Sequence, residues 1–170
     1  MARNEMAEIA NERGRRGDIA GLAVFLALCF AVSALGGLAT ASTVGTWYQG
    51  LEKPFFNPPN WIFAPVWTVL YVLMAIAGWR VWRVSNGEAR ETALSMFALQ
   101  LALNLIWSFL FFGLQRIDLA LVDIILLLLA IAAMIALFFP IDRLAARLLV
   151  PYFVWVAFAA ALNASLWLLN

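Results

Sequence analysis

Five runs of about twenty residues, at 19–39, 61–84, 92–112, 119–139 and 148–169, carry almost no charge, and they limit what this chain can become more than any other feature. Within a bilayer there is no water to bond the peptide groups, so each run has to satisfy its own backbone as a helix. A soluble domain has about a quarter of its residues charged; here 12% are charged and 65% are hydrophobic. The expected fold is an all-α integral membrane domain over 18–170, a bundle of five transmembrane helices, preceded by a polar N-terminal tail at 1–17. The connectors 85–91, 113–118 and 140–147 are short, so consecutive helices should be antiparallel neighbours.

The first run competes with a secretory reading. Arg13 to Arg16 resemble the charged start of a signal peptide, and Ala39-Thr40-Ala41 resembles a small-residue cleavage site. The apolar stretch 19–38 is, however, longer than the ~7–15 residues of a signal core. It is therefore assigned as the first span. Before it, Arg3, Glu5, Glu8, Glu12, Arg13, Arg15 and Arg16 leave no apolar face, which predicts a frayed tail.

Orientation follows from the basic residues. Arg3, Arg13, Arg15, Arg16, Arg80, Arg83, Arg90, Arg143 and Arg147 fall on one side of the five spans, and only Lys53 and Arg116 on the other. By the positive-inside rule the N-terminus is expected in the cytoplasm, in a bacterial inner membrane, with an outer membrane as the alternative. Arg80, Arg83, Trp79 and Trp82 read as interfacial anchors.

The long connector between the first two spans is unusual. Trp47, Tyr48, Phe55, Phe56 and Trp61 alternate with Pro54, Pro58 and Pro59. Proline fixes φ and removes a donor, so this loop should be stiff and folded. It reads as a lid packed on a helix bundle. Asn60 is expected to cap the second helix, with Pro65 in its first turns either costing little or introducing a small kink.

Helical spacing sorts the remaining side chains. Phe63, Trp67, Tyr71 and Met74 share one stripe, Gln100, Asn104, Trp107 and Phe111 another, and Tyr152, Trp155, Ala159 and Asn163 a third. Amides are costly in hydrocarbon, so Gln100, Asn104 and Asn163 should face the bundle interior. Spacing alone allows two readings: interhelical glue with core-filling rings, or a pocket with flat aromatic walls and a few amide donors. Asp123, one turn into the fourth span, reads as a partnered interfacial carboxylate, with proton handling as the functional alternative. The chain has no histidine, which excludes His-ligated metal or haem and any His-based catalytic pair. The single Cys29 reads as a small packing residue. No P-loop, metal cluster or basic stripe points to a hydrolase or to nucleic acid. The helices also lack the inverted repeats and paired discontinuous helices of transporters.

The motifs WYxxLxKPxFxPP at 47–59, VWTxLY at 66–71, QxxxNxxWxxxFF at 100–112, ALVD at 120–123 and PYxxWxAFAxxLN at 151–163 resemble those of the TspO/translocator protein family. These are the tryptophan-rich sensory proteins, also known as the TspO/MBR family or peripheral-type benzodiazepine receptors. The resemblance covers all five spans in order. It implies a five-helix fold whose pocket is capped by the long first loop, and a receptor for tetrapyrroles such as protoporphyrin IX and haem. Sterols in some members and benzodiazepine-type compounds are the other implied ligands. The implied role is sensing or regulating tetrapyrrole metabolism and stress. Light-dependent oxidative degradation of bound porphyrin by Trp67 and Trp155, or transport of porphyrin or sterol, is the alternative. No cofactor is required beyond the bound ligand.

Carried over by motif, Trp67 and Trp155 would flank the ligand and Asn104 would hydrogen-bond it. Tyr71, Trp107 and Ala159 would line the pocket, and Trp47, Tyr48 and Pro54 would belong to the lid. The resemblance further implies a homodimer through the third span, where Ala98 and Ala102 form a small-xxx-small pair. Phe55 and Phe56 depart from the family pattern, in which many members carry Trp, so a lid hydrogen bond from those positions is lost. The pattern proposed for cholesterol contact is absent after Tyr152.

Overall fold

A computed structural model describes residues 2–41 and 43–170, with side chains from Gly17 onward. The tail arginines Arg3, Arg13, Arg15 and Arg16, counted above, lie outside the described side chains. All elements are helical, with no strand among the described residues. Helix α1 spans Ala2–Ala41, and α2 is a single turn at Trp47–Gly50. A 3-10 turn at Asn60–Ile62 leads into α3 at Phe63–Val84. Helix α4, Gly87–Ser108, runs on as a π turn at Phe109–Gly113. It is followed by α5 at Ile117–Phe138, α6 at Arg143–Leu148 and α7 at Val150–Leu169.

Among the described residues, five stretches are long and apolar enough to cross a membrane: Gly17–Ala41, Asn60–Val84, Gly87–Gly113, Ile117–Phe138 and Arg143–Leu169. The chain is a multi-pass membrane protein built as a five-helix bundle.

Several boundaries differ from the sequence reading. The backbone is helical from Ala2, where fraying was expected; Ala, Glu and Arg are good helix formers, and the span behind them supplies the nucleus. Asn60 does not cap α3 with its side chain. Pro59 holds the capping position of the 3-10 turn, and Phe63 N–H bonds the Asn60 carbonyl instead. Helix α4 begins at Gly87, whose φ of +57° lies in the left-handed region that favours glycine. The fifth span breaks into α6 and α7 at Leu149, two residues before Pro151.

The capping of α6 is specific. Asp142 accepts from the backbone N–H of Leu144 at 2.8 Å and of Ala145 at 3.1 Å. The Arg80 side chain from α3 reaches the other carboxylate oxygen, with Nε at 2.9 Å and a terminal nitrogen at 2.8 Å. Burial pushes the Asp142 carboxyl up, but the Ala145 N–H, the Arg80 guanidinium and the Leu144 N–H together hold it below the usual carboxylate value.

Packing is set by small residues. Helix α3 lies against α1, α4 against α5 and α1, and α5 against α7. A Cβ added at Gly78 would come within 2.9 Å of the Phe25 ring and 3.0 Å of Phe97. The missing side chain lets α1 and α4 rings meet over α3, edge to face at 5.5 Å. Beneath and around them, Met74, Ala77, Val81, Ile131, Met134, Phe138 and Tyr152 form the main core, with Cys29 fully buried in it. A smaller cluster of Tyr48, Phe111, Ala120, Leu162 and Leu166 sits under the first loop.

Two outcomes test this architecture. Gly78→Leu should cost about 1–3 kcal/mol by overpacking, read as a lower thermal midpoint in detergent, whereas Gly37→Ala, with nothing within 4 Å of the added carbon, should not lower it. An unchanged midpoint for Gly78→Leu would remove the glycine contact from the account. The second is acid sensitivity. With its folded value depressed, Asp142 contributes stability above its unfolded value of about 4, and that contribution is lost as pH falls through the folded value. Asp142→Asn should therefore narrow the stability difference between pH 7 and pH 3 in thermal unfolding.

Candidate functional site

One cavity of about 550 Å³ lies between α1, α3, α4 and α7, under the first loop. That is within the usual range for a small-molecule site. Three walls come from the stripes read in the sequence. Phe63, Trp67 and Tyr71 descend α3 one turn apart; Asn104, Trp107, Ser108 and Phe111 face them from α4; Trp155, Ala159, Leu162 and Asn163 line it from α7. The rings brace each other at fixed angles. Trp67 lies 5.6 Å from Tyr71 and 6.2 Å from Tyr152. Phe63 meets Trp155 edge-on at 5.9 Å, and Trp107 stacks on Phe111 at 5.1 Å.

At the inner end of the cavity a chain of hydrogen bonds joins three helices. Tyr71 O–H donates to Asn104 Oδ1 at 2.7 Å, Asn104 Nδ2 donates to the Tyr152 hydroxyl at 3.0 Å, and Tyr152 O–H donates to Gln100 Oε1 at 3.0 Å. All four residues are buried. Asn104 is thus committed to two tyrosines, which leaves one amide N–H uncommitted. Trp107 Nε1 donates to Asn163 Oδ1 at 3.1 Å, and Asn163 Nδ2 donates to the Ile117 carbonyl at 2.9 Å, pinning α7 to the start of α5. The Trp155 indole N–H, in contrast, is buried in the cavity wall with no partner. It is the ready hydrogen-bond donor of this site.

Gln100 lies behind the wall, with its amide nitrogen unpartnered. Asp123 was expected to be partnered, yet it is buried with one carboxylate oxygen unbonded.

The first loop is folded, as its prolines suggest. Tyr48 O–H donates to Asn57 Oδ1 at 3.0 Å. Lys53 Nζ donates to the carbonyls of Gln49 and Leu51 and sits 4.9 Å over the Tyr48 ring. Burial raises the Tyr48 phenol above its ordinary value, offset in part by the Asn57 bond. Glu52 and Asn170 exchange two hydrogen bonds, at 2.9 and 3.1 Å.

Of the nine residues singled out from sequence, Tyr48, Trp67, Tyr71, Asn104, Trp107, Trp155 and Ala159 line the cavity, and Trp47 and Pro54 do not. Trp47 packs on Phe111 at 5.7 Å from the far side. Phe56 rests on Phe158, but Phe55 projects fully exposed rather than packing on a helix, and Trp61 is 73% exposed. Sequence reasoning missed the fourth wall, Ser33, Gly36, Gly37 and Thr40 of α1. Its signal was a small or polar residue at i, i+3, i+4 and i+7 in an otherwise bulky span.

If Asn104 holds the helices together, Asn104→Leu should destabilise the ligand-free protein by about 1–3 kcal/mol through the stranded tyrosine hydroxyls, seen as a lower thermal midpoint. A purely ligand-contacting Asn104 would leave that midpoint where it was.

A model of the TspO/MBR family matches residues 25–168. The chain is 44% identical over 153 residues to the tryptophan-rich protein TspO of Archaeoglobus fulgidus, covering 89% of this chain and 95% of that protein. It is 38% identical over 149 residues to protein CrtK of Rhodobacter capsulatus, covering 87% and 91%. To the translocator protein of Sus scrofa it is 42% identical over 142 residues, covering 80% and 84%.

Proposed function

The chain belongs to the TspO/MBR family, and we propose that it is a membrane receptor that binds a tetrapyrrole, protoporphyrin IX or haem, between α1, α3, α4 and α7. One observation carries this reading: a cavity of about 550 Å³ whose walls are the indoles of Trp67, Trp107 and Trp155 and the phenol ring of Tyr71. Flat aromatic walls favour a flat, largely apolar ligand, since stacking adds to the area removed from water. The unpartnered Trp155 N–H supplies one hydrogen bond to an acceptor on its edge. The spare N–H of Asn104 supplies another.

Binding in turn regulates or senses tetrapyrrole metabolism. The bundle sits in an inner membrane with its N-terminus in the cytoplasm and the first loop on the opposite side, as the distribution of nine basic residues to two favours. Ala98 and Ala102 are exposed on the outward face of α4. That small-residue face is where a second copy would pack to form a homodimer.

Titration of the purified protein with protoporphyrin IX, followed by tryptophan fluorescence in the dark and in light, tests the central claim. Saturable quenching is expected, weakened by Trp67→Phe and Trp155→Phe, with porphyrin absorbance unchanged by light. Absence of saturable quenching would refute the tetrapyrrole assignment. Loss of porphyrin absorbance in light, abolished by the two substitutions, would replace a receptor with a photochemical degradation activity.

A further inference from the structure

The cavity reading above leaves open how a ligand enters, and the two ends of α1 differ in a way that answers it. Towards the N-terminal end of its span, α1 is seated tightly on α3. A Cβ at Gly21 would lie 2.5 Å from the Trp82 ring, and Phe25 closes on Gly78. Towards the loop, α1 leans on α4 instead. A Cβ at Gly36 would lie 3.0 Å from Ser108 Oγ, and Thr43 Oγ1 donates to the Phe112 carbonyl at 3.1 Å.

Four cavity-lining residues on the outer halves of α1 and α3 are exposed on the outside of the bundle: Gly37, Ala41, Ala64 and Thr68. Nothing lies within 4 Å of a Cβ built on Gly37. Their chain neighbours Leu38 and Val69 are 71% and 57% exposed, which marks this side as facing lipid tails. The opening also carries little polarity, because Thr68 Oγ1 donates back to the Ala64 carbonyl at 2.8 Å and Thr40 Oγ1 to Gly36 at 2.9 Å. On the loop side Gly45, Gln49 and Asn60 also line the cavity and are exposed, but there the chain is tied by hydrogen bonds, Tyr48 to Asn57 and Glu52 to Asn170.

We propose that the cavity is loaded sideways, from the hydrocarbon of the bilayer, through an opening between the outer halves of α1 and α3 rimmed by Gly37, Ala41, Ala64 and Thr68. The partner is the membrane interior itself, as the reservoir of a flat apolar ligand. The proposal rests on the cavity being a ligand site, but the opening can be tested apart from the ligand's identity.

A bimane fluorophore attached to the Gly37→Cys protein in lipid nanodiscs reads the opening directly. Native Cys29 is fully buried, so the unsubstituted protein serves as the labelling blank. Quenching by phospholipids with a doxyl group on the acyl chain, and not by iodide in the buffer, is expected; quenching by iodide alone would overturn the proposal. Stopped-flow protoporphyrin IX binding then reads the route. Ala64→Trp and Thr68→Trp should slow both association and dissociation several-fold. Unchanged rates in both rim variants, with faster rates in Asn170→Ala, which releases Glu52 of the loop, would place entry at the loop and overturn the proposal. Lipid-side quenching in a protein that binds no porphyrin would refute the tetrapyrrole reading while supporting the opening.

Discussion

The chain Tyr71–Asn104–Tyr152–Gln100 is the interaction on which the geometry of this protein depends. It joins α3, α4 and α7 by hydrogen bonds of 2.7 to 3.0 Å at the level where their aromatic stripes converge. Away from water a polar group without a partner costs about 2–7 kcal/mol. Sliding any one helix by a turn would strand at least two such groups. The network therefore fixes helix register, which apolar packing in lipid does only weakly, since lipid tails are as apolar as leucine. The ring positions in the cavity follow from that register. Trp67 lies one turn above Tyr71 on α3, and Trp155 lies about one turn beyond Tyr152 on α7.

The first helix has a different part. It contributes no ring to the cavity and no member of the buried hydrogen-bonded chain. What it supplies is absence of bulk: Gly21 admits Trp82, Gly36 admits Ser108, and Gly37 meets nothing. The same helix that closes the bundle at one end leaves it open at the other. Helix ends elsewhere are handled by specific groups, with Asp142 holding both the start of α6 and Arg80 of α3.

Much of this was legible in the residues. Five nearly uncharged runs gave five spans, and i, i+4 spacing put Phe63, Trp67 and Tyr71 on one face. The cost of a buried amide turned Gln100, Asn104 and Asn163 inward, and all three are buried. Local features decided by a competing bond were not legible. Asn60 reads as a cap, yet Pro59 and a 3-10 turn take that position. Phe55 reads as a packed lid ring, yet the loop bonds to itself through Tyr48, Asn57 and Lys53 and turns Phe55 outward. Trp47 carries the family motif but braces Phe111 from behind rather than lining the cavity.

The sequence by itself determined that this chain folds in a membrane, that it crosses five times, and that the rings of Phe63, Trp67 and Tyr71 and the amides of Gln100, Asn104 and Asn163 face inward. Those outcomes depend only on transfer free energy and on the period of the helix, which are properties of a single segment. Only the tertiary structure decided which donors are left free. Asn104 gives its oxygen and one N–H to two tyrosines and keeps the other N–H, Trp107 is spent on Asn163, and Trp155 keeps its N–H. It also decided that the fourth wall is built from the small residues of α1, and that α1 stands off from α3 at the loop end. Each of these depends on which partner arrives from another helix, and no segment carries that information alone.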